Sequence, residues 1–268
     1  MTANSLTKTI KSVKLYTEQI VTHPLNMFLM NTPSLVVDDW VAELIQKEIT
    51  KQPRVRSDSF SSSAAGSCLR RQMFNYIGID TGGVNDPQLQ NIFYDGTWRH
   101  LRWQAVLLQA GILTAIEYPL SWPEKQSMGT VDGVGVVPDD HPNEKWRGLE
   151  FGFELKGCNT YAFQNIARNK AIKEDHLNQV HRYFLSGGFD LFVVIYEDKN
   201  TQQWQEFVIG PDLARMEDQR TELDLLNDYA NQQVLPPMLD ECKKQTGSDW
   251  KYCPFAGKTG VCVNRKEW

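Results

Sequence analysis

Short apolar blocks with two-residue alternation run through the middle of the chain, and they predict strands at Ala115 to Trp122, Gly129 to Val137, Gly148 to Lys156, Leu191 to Tyr196 and Trp204 to Ile209. A turn containing Pro138, Asp139, Asp140 and Pro142 separates the second from the third, as a hairpin requires. Helical spacing of apolar residues predicts helices over Val37 to Ile49, with Trp40, Leu44 and Ile45 on one side, and over Cys68 to Tyr76. Further helices are expected from Thr97 to near Gly111, Ala162 to Arg168, Lys173 to Leu185 before Gly187-Gly188, and Pro211 to Val234, the last a charged final helix. The expected class is α/β, a mixed central sheet flanked by helices. Residues 1 to 32 are polar and weakly periodic, Lys51 to Ser63 is a polar connector holding Arg54 and Arg56, and residues 79 to 90 are a loop rich in Gly, Asp and Asn. The division this suggests is a helical N-terminal elaboration over 1–60 and one elaborated domain over 61–268.

Polar residues interrupt the apolar strands at particular points. In Phe151-Gly-Phe-Glu-Leu-Lys156, alternation puts Glu154 and Lys156 on one face and Leu155 in the core. A buried charged pair is costly unless something compensates it. Asp132, in Gly129-Thr-Val-Asp-Gly133, lies on the preceding strand, so a hairpin return would bring its carboxylate to that of Glu154. Two converging carboxylates repel unless a cation or a proton lies between them. Magnesium suits such a site, because it takes oxygen ligands and shares them with a phosphate. On this reading Asp132 and Glu154 hold the metal, which polarises a scissile phosphate and activates water, while Lys156 orients that water or neutralises developing charge. The competing reading is a surface hairpin with a solvated Glu-x-Lys pair.

His100, early in its expected helix, could add a nitrogen ligand, although a lone histidine more often bonds at a helix surface. Gln179 and Tyr183 lie one helical turn apart, where an amide and a phenol could meet phosphate or position Lys156.

Composition sets the frame. The 268 residues are 41% hydrophobic and 11% aromatic, enough for a sizeable core. No apolar run is long enough to span a bilayer, and Met1-Thr-Ala-Asn-Ser-Leu-Thr-Lys lacks the apolar core of a secretion signal, so a reducing cytoplasm is expected. The formal charge of -5 excludes a strongly basic nucleic-acid binder but leaves room for a local positive field. Arg70, Arg71, Arg99, Arg102, Lys156, Arg168, Lys170 and Lys173 cluster near the motifs, and acidic residues concentrate across Glu217 to Asp228. Of five cysteines, Cys68 precedes the core, Cys158 lies inside it, and Cys242, Cys253 and Cys262 follow it. Thiolates suit iron-sulfur centres and zinc alike, and packed thiols or two disulfides are the structural alternatives. Cys158 reads as a packed thiol.

The order His100, Asp132, Glu154-x-Lys156, Gln179-x3-Tyr183 resembles the RecB-like branch of the PD-(D/E)XK nucleases, over roughly residues 60 to 265. The resemblance implies a magnesium- or manganese-dependent DNA exonuclease. It makes His100, Asp132, Glu154 and the carbonyl of Leu155 metal ligands and Lys156 the catalytic lysine, with Gln179 and Tyr183 near the DNA backbone and Lys199 a further basic position. One cysteine before the core and three after it resembles the CRISPR-associated and AddB-type members and their phage relatives. This implies a 4Fe-4S cluster on Cys68, Cys242, Cys253 and Cys262, although ten and eight residues separate the last three, a wider spacing than those members show. Arg70 and Arg71 follow Cys68 as in those proteins, where such residues bind DNA. Also implied are linear DNA with free ends as substrate, 5' to 3' cutting, DNA-processing or recombination partners, and a prokaryotic or infected host cell. A structure-selective endonuclease and a non-catalytic DNA-binding adaptor are the alternatives.

Overall fold

A computed structural model describes residues 14–32, 34–51, 58–81, 86–256, 260–265 and 268. Pro33, Arg54, Arg56 and the middle of the expected loop over 79 to 90 lie outside them. The centre is a mixed sheet of β1 (Leu15–Tyr16), β2 (Phe60–Ser61), β3 (Ala115–Trp122), β4 (Ser127–Val136), β5 (Glu150–Cys158), β6 (Leu191–Asp198) and β7 (Trp204–Ile209). Its order is β1-β7-β6-β5-β4-β2, with β3 on the other edge of β4. Around it lie α1 (Thr22–Asn31), α2 (Asp39–Thr50), α3 (Leu69–Tyr76), α4 (Pro87–Gln109), α5 (Thr160–Asn169), α6 (Glu174–Gly187) and α7 (Leu213–Gln232), then short helices α8 (Asp240–Lys243), α9 (Gly247–Tyr252) and α10 (Val261–Asn264). The fold is mixed α/β, a central mixed sheet flanked by helices.

β5 and β6 run parallel, and parallel neighbours need a crossover. α5 and α6 supply it, which lays α6 across one sheet face. β6 is buried along its whole length, its apolar run from Leu191 to Tyr196 followed by two buried acids, Glu197 and Asp198. One face packs Phe151, Phe153 and Leu155 against α1, α2 and α4. The other packs Phe192, Val194 and Tyr196 against α5 and α6. A third core joins α3, α7 and the C-terminal helices around Phe60, Phe74, Leu226 and Phe255.

Four sequence expectations differ from the structure. Helix α4 begins ten residues before Thr97, because Pro87 occupies its first turn and Asp86 accepts the N–H groups of Gln88 and Leu89. Trp40 is 46% exposed, and Val41 takes its expected place in the core. The charged helix α7 is not final, since three short helices follow it. The segment before Phe60 is also more than helical, for β1 pairs with β7 in the central sheet.

Candidate active site

β4 and β5 pair antiparallel from Val136 opposite Glu150 to Gly133 opposite Phe153, and there the ladder stops. Beyond that point β5 stays with β6, while β4 stays with β3 and β2, so the strands fork. Asp132 and Glu154 are the first residues past the fork. Inside a core a backbone N–H needs an acceptor, and the N–H of Leu155 donates to Asp132 Oδ2 at 2.7 Å.

On the opposite face of β5, Lys156 Nζ lies 2.7 Å from Glu154 Oε1 and donates to Gln179 Oε1 at 2.9 Å. The Gln179 amide also donates to Glu154 Oε1 at 3.0 Å and to the Tyr183 hydroxyl at 2.8 Å. Tyr183 in turn donates to the Thr130 carbonyl at 2.8 Å, fastening α6 to β4. That close approach needs Gly129, where a Cβ would stand 2.7 Å from the Tyr183 ring. Tyr183 is 2% exposed, so it positions Gln179 rather than facing a ligand. Burial, then the charge of Glu154, holds its pKa well above the ordinary phenol value.

His100 lies in the middle of α4, not near its start, with Nδ1 3.2 Å from Asp132 Oδ1. Burial works to lower its pKa, but Asp132, with lesser help from Glu154 and Glu117, leaves it raised. One turn on, Gln104 donates to the Asp132 carbonyl at 2.9 Å and to Glu117 Oε1 at 2.8 Å. Burial, then Gln104, Asp132 and Glu48, acts on the Glu117 carboxyl, whose pKa is raised. Each carboxylate at the fork therefore has one oxygen engaged by the protein backbone or Lys156. Glu154 Oε2 is buried with no hydrogen-bond partner. Burial, with Asp132 next, pushes the Glu154 pKa up to about 7 against the opposing pull of Lys156. Among the described residues, no three His, Cys, Asp or Glu side chains stand together as a ready-made metal cage.

A cleft of about 270 Å³ lies beside the fork, lined by Arg99, His100, Leu155, Lys156, Lys173, His176 and Lys199. Arg99 is partly committed, to Glu197 at 2.9 Å and Asp95 at 3.0 Å. Burial, then Lys156, pushes the His176 pKa down to about 4, so its imidazole is neutral. The Tyr196 hydroxyl accepts the Lys173 N–H at 3.2 Å and shares a hydrogen bond of 2.5 Å with His176 Nδ1. A second cleft of about 360 Å³ shares Gly96 and His100 and adds Glu48, Gln104 and Glu117.

Several solved structures are similar to this chain. An alkaline exonuclease, LHK-Exo from Laribacter hongkongensis, is 13% identical, with 66% of this chain and 90% of that one covered, at a TM-score of 0.43. The structure of LHK-Exo in complex with dAMP is 12% identical over the same shares, at 0.48. SSO0001 is 15% identical, covering 80% of this chain and 91% of its own, at 0.43. No family model and no curated protein matches the chain.

Away from the fork, Cys68, Cys242, Cys253 and Cys262 line one cavity of about 70 Å³, together with Arg71, Phe74 and Phe255. None of the five cysteines is in a disulfide, which removes that alternative. Burial raises the Cys262 thiol pKa, while Arg70 opposes the shift. Cys158 is buried in the core against α5 and α6. Arg70 is 7% exposed and does not face solvent. Its guanidinium donates to the carbonyls of Pro236 at 2.7 Å and Arg265 at 2.5 Å, tying α3 to the C-terminal segment. Arg71 is exposed at the cavity rim.

Gln104, Glu117 and His176 escaped the sequence reading. His176 carried a usable signal, because it lies three residues before Gln179 on the same helical face. Glu117 carried none. It occupies a strand position yet has φ 45, a left-handed backbone that no alternation pattern announces.

Proposed function

We propose that this chain is a divalent-metal-dependent DNA nuclease of the PD-(D/E)XK kind, acting as an exonuclease on linear DNA. The observation that carries it is the unpartnered Glu154 Oε2, fully buried beside Asp132, His100 and Lys156. A lone carboxylate oxygen in the interior is costly, and a cation removes the cost. The donors fit magnesium or manganese: Glu154 Oε2, Asp132 Oδ1, His100 and the Leu155 carbonyl are hard oxygen and nitrogen groups. A metal there would polarise the phosphate and lower the pKa of an attacking water. Lys156, held by Glu154 and Gln179, has its ammonium fixed where charge develops on the phosphate, so no reorganisation is needed during the reaction. Lys173, Lys199 and His176 would take the neighbouring phosphates, with Arg99 and Arg71 as further DNA contacts. A 5' to 3' direction and a role in DNA end processing rest only on the resemblance of the sequence motifs to the RecB-like nucleases. The same reading gives Cys68, Cys242, Cys253 and Cys262 a 4Fe-4S cluster, zinc being the other metal their thiolates suit.

Glu154→Gln and Lys156→Ala test the centre. On linear DNA with magnesium, each should lower the cleavage rate by roughly a thousandfold while DNA binding persists. Degradation at the parent rate would remove the centre. Closed circular single-stranded DNA should resist the parent enzyme, and its cutting would replace an exonuclease with an endonuclease.

A further inference from the structure

The first half of α4 is apolar where helices are normally polar. From Pro87 to Trp98 every residue except Gln90 and Gly96 is exposed. Leu89, Ile92, Phe93, Tyr94 and Trp98 are 39%, 47%, 49%, 58% and 60% exposed. Twelve residues of helix make a rod about 18 Å long. Such a length is marginal on its own in water, and a helix that is apolar on several sides normally has something packed against it.

Helical register says where this surface leads. Phe93, Gly96 and His100 are spaced i, i+3, i+7 and share a face, with Leu89 a turn earlier. Gly96 and His100 line both clefts at the fork. The Phe93 ring therefore stands on the stripe that enters the site, and Tyr94 with Trp98, one turn apart, forms a second stripe beside it. Lys173 and Lys199 line the cleft beside Arg99 and Lys156, whose charges are paired with Glu197, Asp95 and Glu154. Asp95, the acid of this stretch, is ion-paired with Arg99 at 3.0 Å. Rings leading into a cationic cleft match a ligand whose polyanionic backbone carries flat apolar groups. An intact duplex buries those groups in its own stack, whereas an unpaired strand offers them.

We propose that the exposed half of α4 is a stacking surface for unpaired nucleobases, so that the site takes a single strand or frayed DNA end whose phosphates enter the cationic cleft while its bases lie on Phe93, Tyr94 and Trp98. This rests on the nuclease reading and narrows its substrate to unpaired DNA.

The test is binding by the full chain without added divalent cation. Three labelled probes of equal length are used: a single strand, the same backbone with abasic sites, and a blunt duplex. Phe93→Leu and Trp98→Leu keep the helix and its apolar surface but remove the rings. Each should weaken single-strand binding roughly tenfold, leave abasic binding within about twofold, and reduce the preference for single strand over duplex. Lys199→Ala, a charge control, should weaken all three probes alike and reduce the salt dependence. Unchanged single-strand affinity in both Leu variants, or an equal loss on the abasic probe, would overturn the stacking surface. So would a concentration-dependent dimer that the same variants abolish, since the occupant would then be a second copy. If the parent protein cuts DNA with magnesium and the rings do not matter, this inference falls alone. If the parent neither binds nor cuts DNA, the nuclease reading falls with it.

Discussion

The fork and the cysteine cavity both gather metal-suited side chains, but they are built differently. At the fork the groups stand on two long strands and two long helices, and they hold one another: Lys156 to Glu154 and Gln179, Gln179 to Tyr183, Tyr183 to Thr130. Around the cavity, Cys242 and Cys262 sit on helices of four residues each, and the thiols come from segments separated by most of the chain. Helices that short do not hold themselves. Where the scaffold is rigid without an ion, a metal adds chemistry. Where the scaffold is a set of short turns, a metal adds stability.

The largest effect that would break this contrast is at the cavity. A structural zinc site contributes on the order of 10 kcal/mol in small domains, and a cluster closing the loop from Cys68 to Cys262 acts on the unfolded chain as well. If the four cysteines hold iron or zinc as proposed, Cys262→Ala should lower the iron or zinc content in elemental analysis and the melting temperature by more than about 10 °C. Glu154→Gln should leave the melting temperature within a few degrees. Equal melting temperatures and equal metal contents in the parent and Cys262→Ala would abolish the distinction between the two regions.

Next in size is the joint between them. Arg182 is fully buried on α6, beside Tyr183, and donates to Glu222 on α7 at 2.6 Å. Glu222 also accepts from Gln72 on α3 at 2.8 Å and from the Gly66 N–H at 3.0 Å, so one carboxylate joins α6, α7 and the segment that carries Cys68. Arg182→Met should cost about 3–5 kcal/mol by removing the buried cation that balances that carboxylate, and Arg182→Met/Glu222→Met should recover part of it. Additive losses in denaturant unfolding would show that the pair does not couple the regions.

How far these regions were legible in sequence follows from the same contrast. Strands Ala115–Trp122 and Trp204–Ile209 match their expected bounds, because alternation and apolar runs are local signals. The fork residues stood out as charges within apolar strands, a mismatch visible along a few residues. The start of α4 was missed, since composition around Asp86 and Pro87 suggested a loop while the cap itself marks a helix. Arg70 looked like a phosphate contact, yet its partners are the carbonyls of Pro236 and Arg265, 166 and 195 residues away, and no local pattern reports them. Glu117 reaches the site through a backbone conformation set by the folded sheet.

The smallest effect, and the one that separates the regions by chemistry, is the response of metal binding to pH. Glu154 has a pKa of about 7 in the folded chain against an ordinary 4.5, with burial and Asp132 outweighing Lys156. A proton and a metal compete for the same carboxylate, so manganese affinity at the fork should rise about fivefold from pH 6 to 7 and about twofold from pH 7 to 8. The raised pKa also fixes the sign for the metal-free protein. The folded state holds this proton more tightly than the unfolded state, so Glu154 contributes stability below about pH 4.5 that is lost as pH rises through about 7. That is opposite to a salt-bridged carboxylate with a depressed pKa. Metal binding removes the penalty, so added manganese should raise the melting temperature more at pH 8 than at pH 6. In Glu154→Gln both trends should vanish, whereas metal held by the cysteines should keep its own dependence, set by thiols that ionise at higher pH. A manganese titration equally tight at pH 6 and pH 8 in the parent protein would mean that no buried carboxylate gives up a proton to the ion, and the fork would lose its claim to bind one.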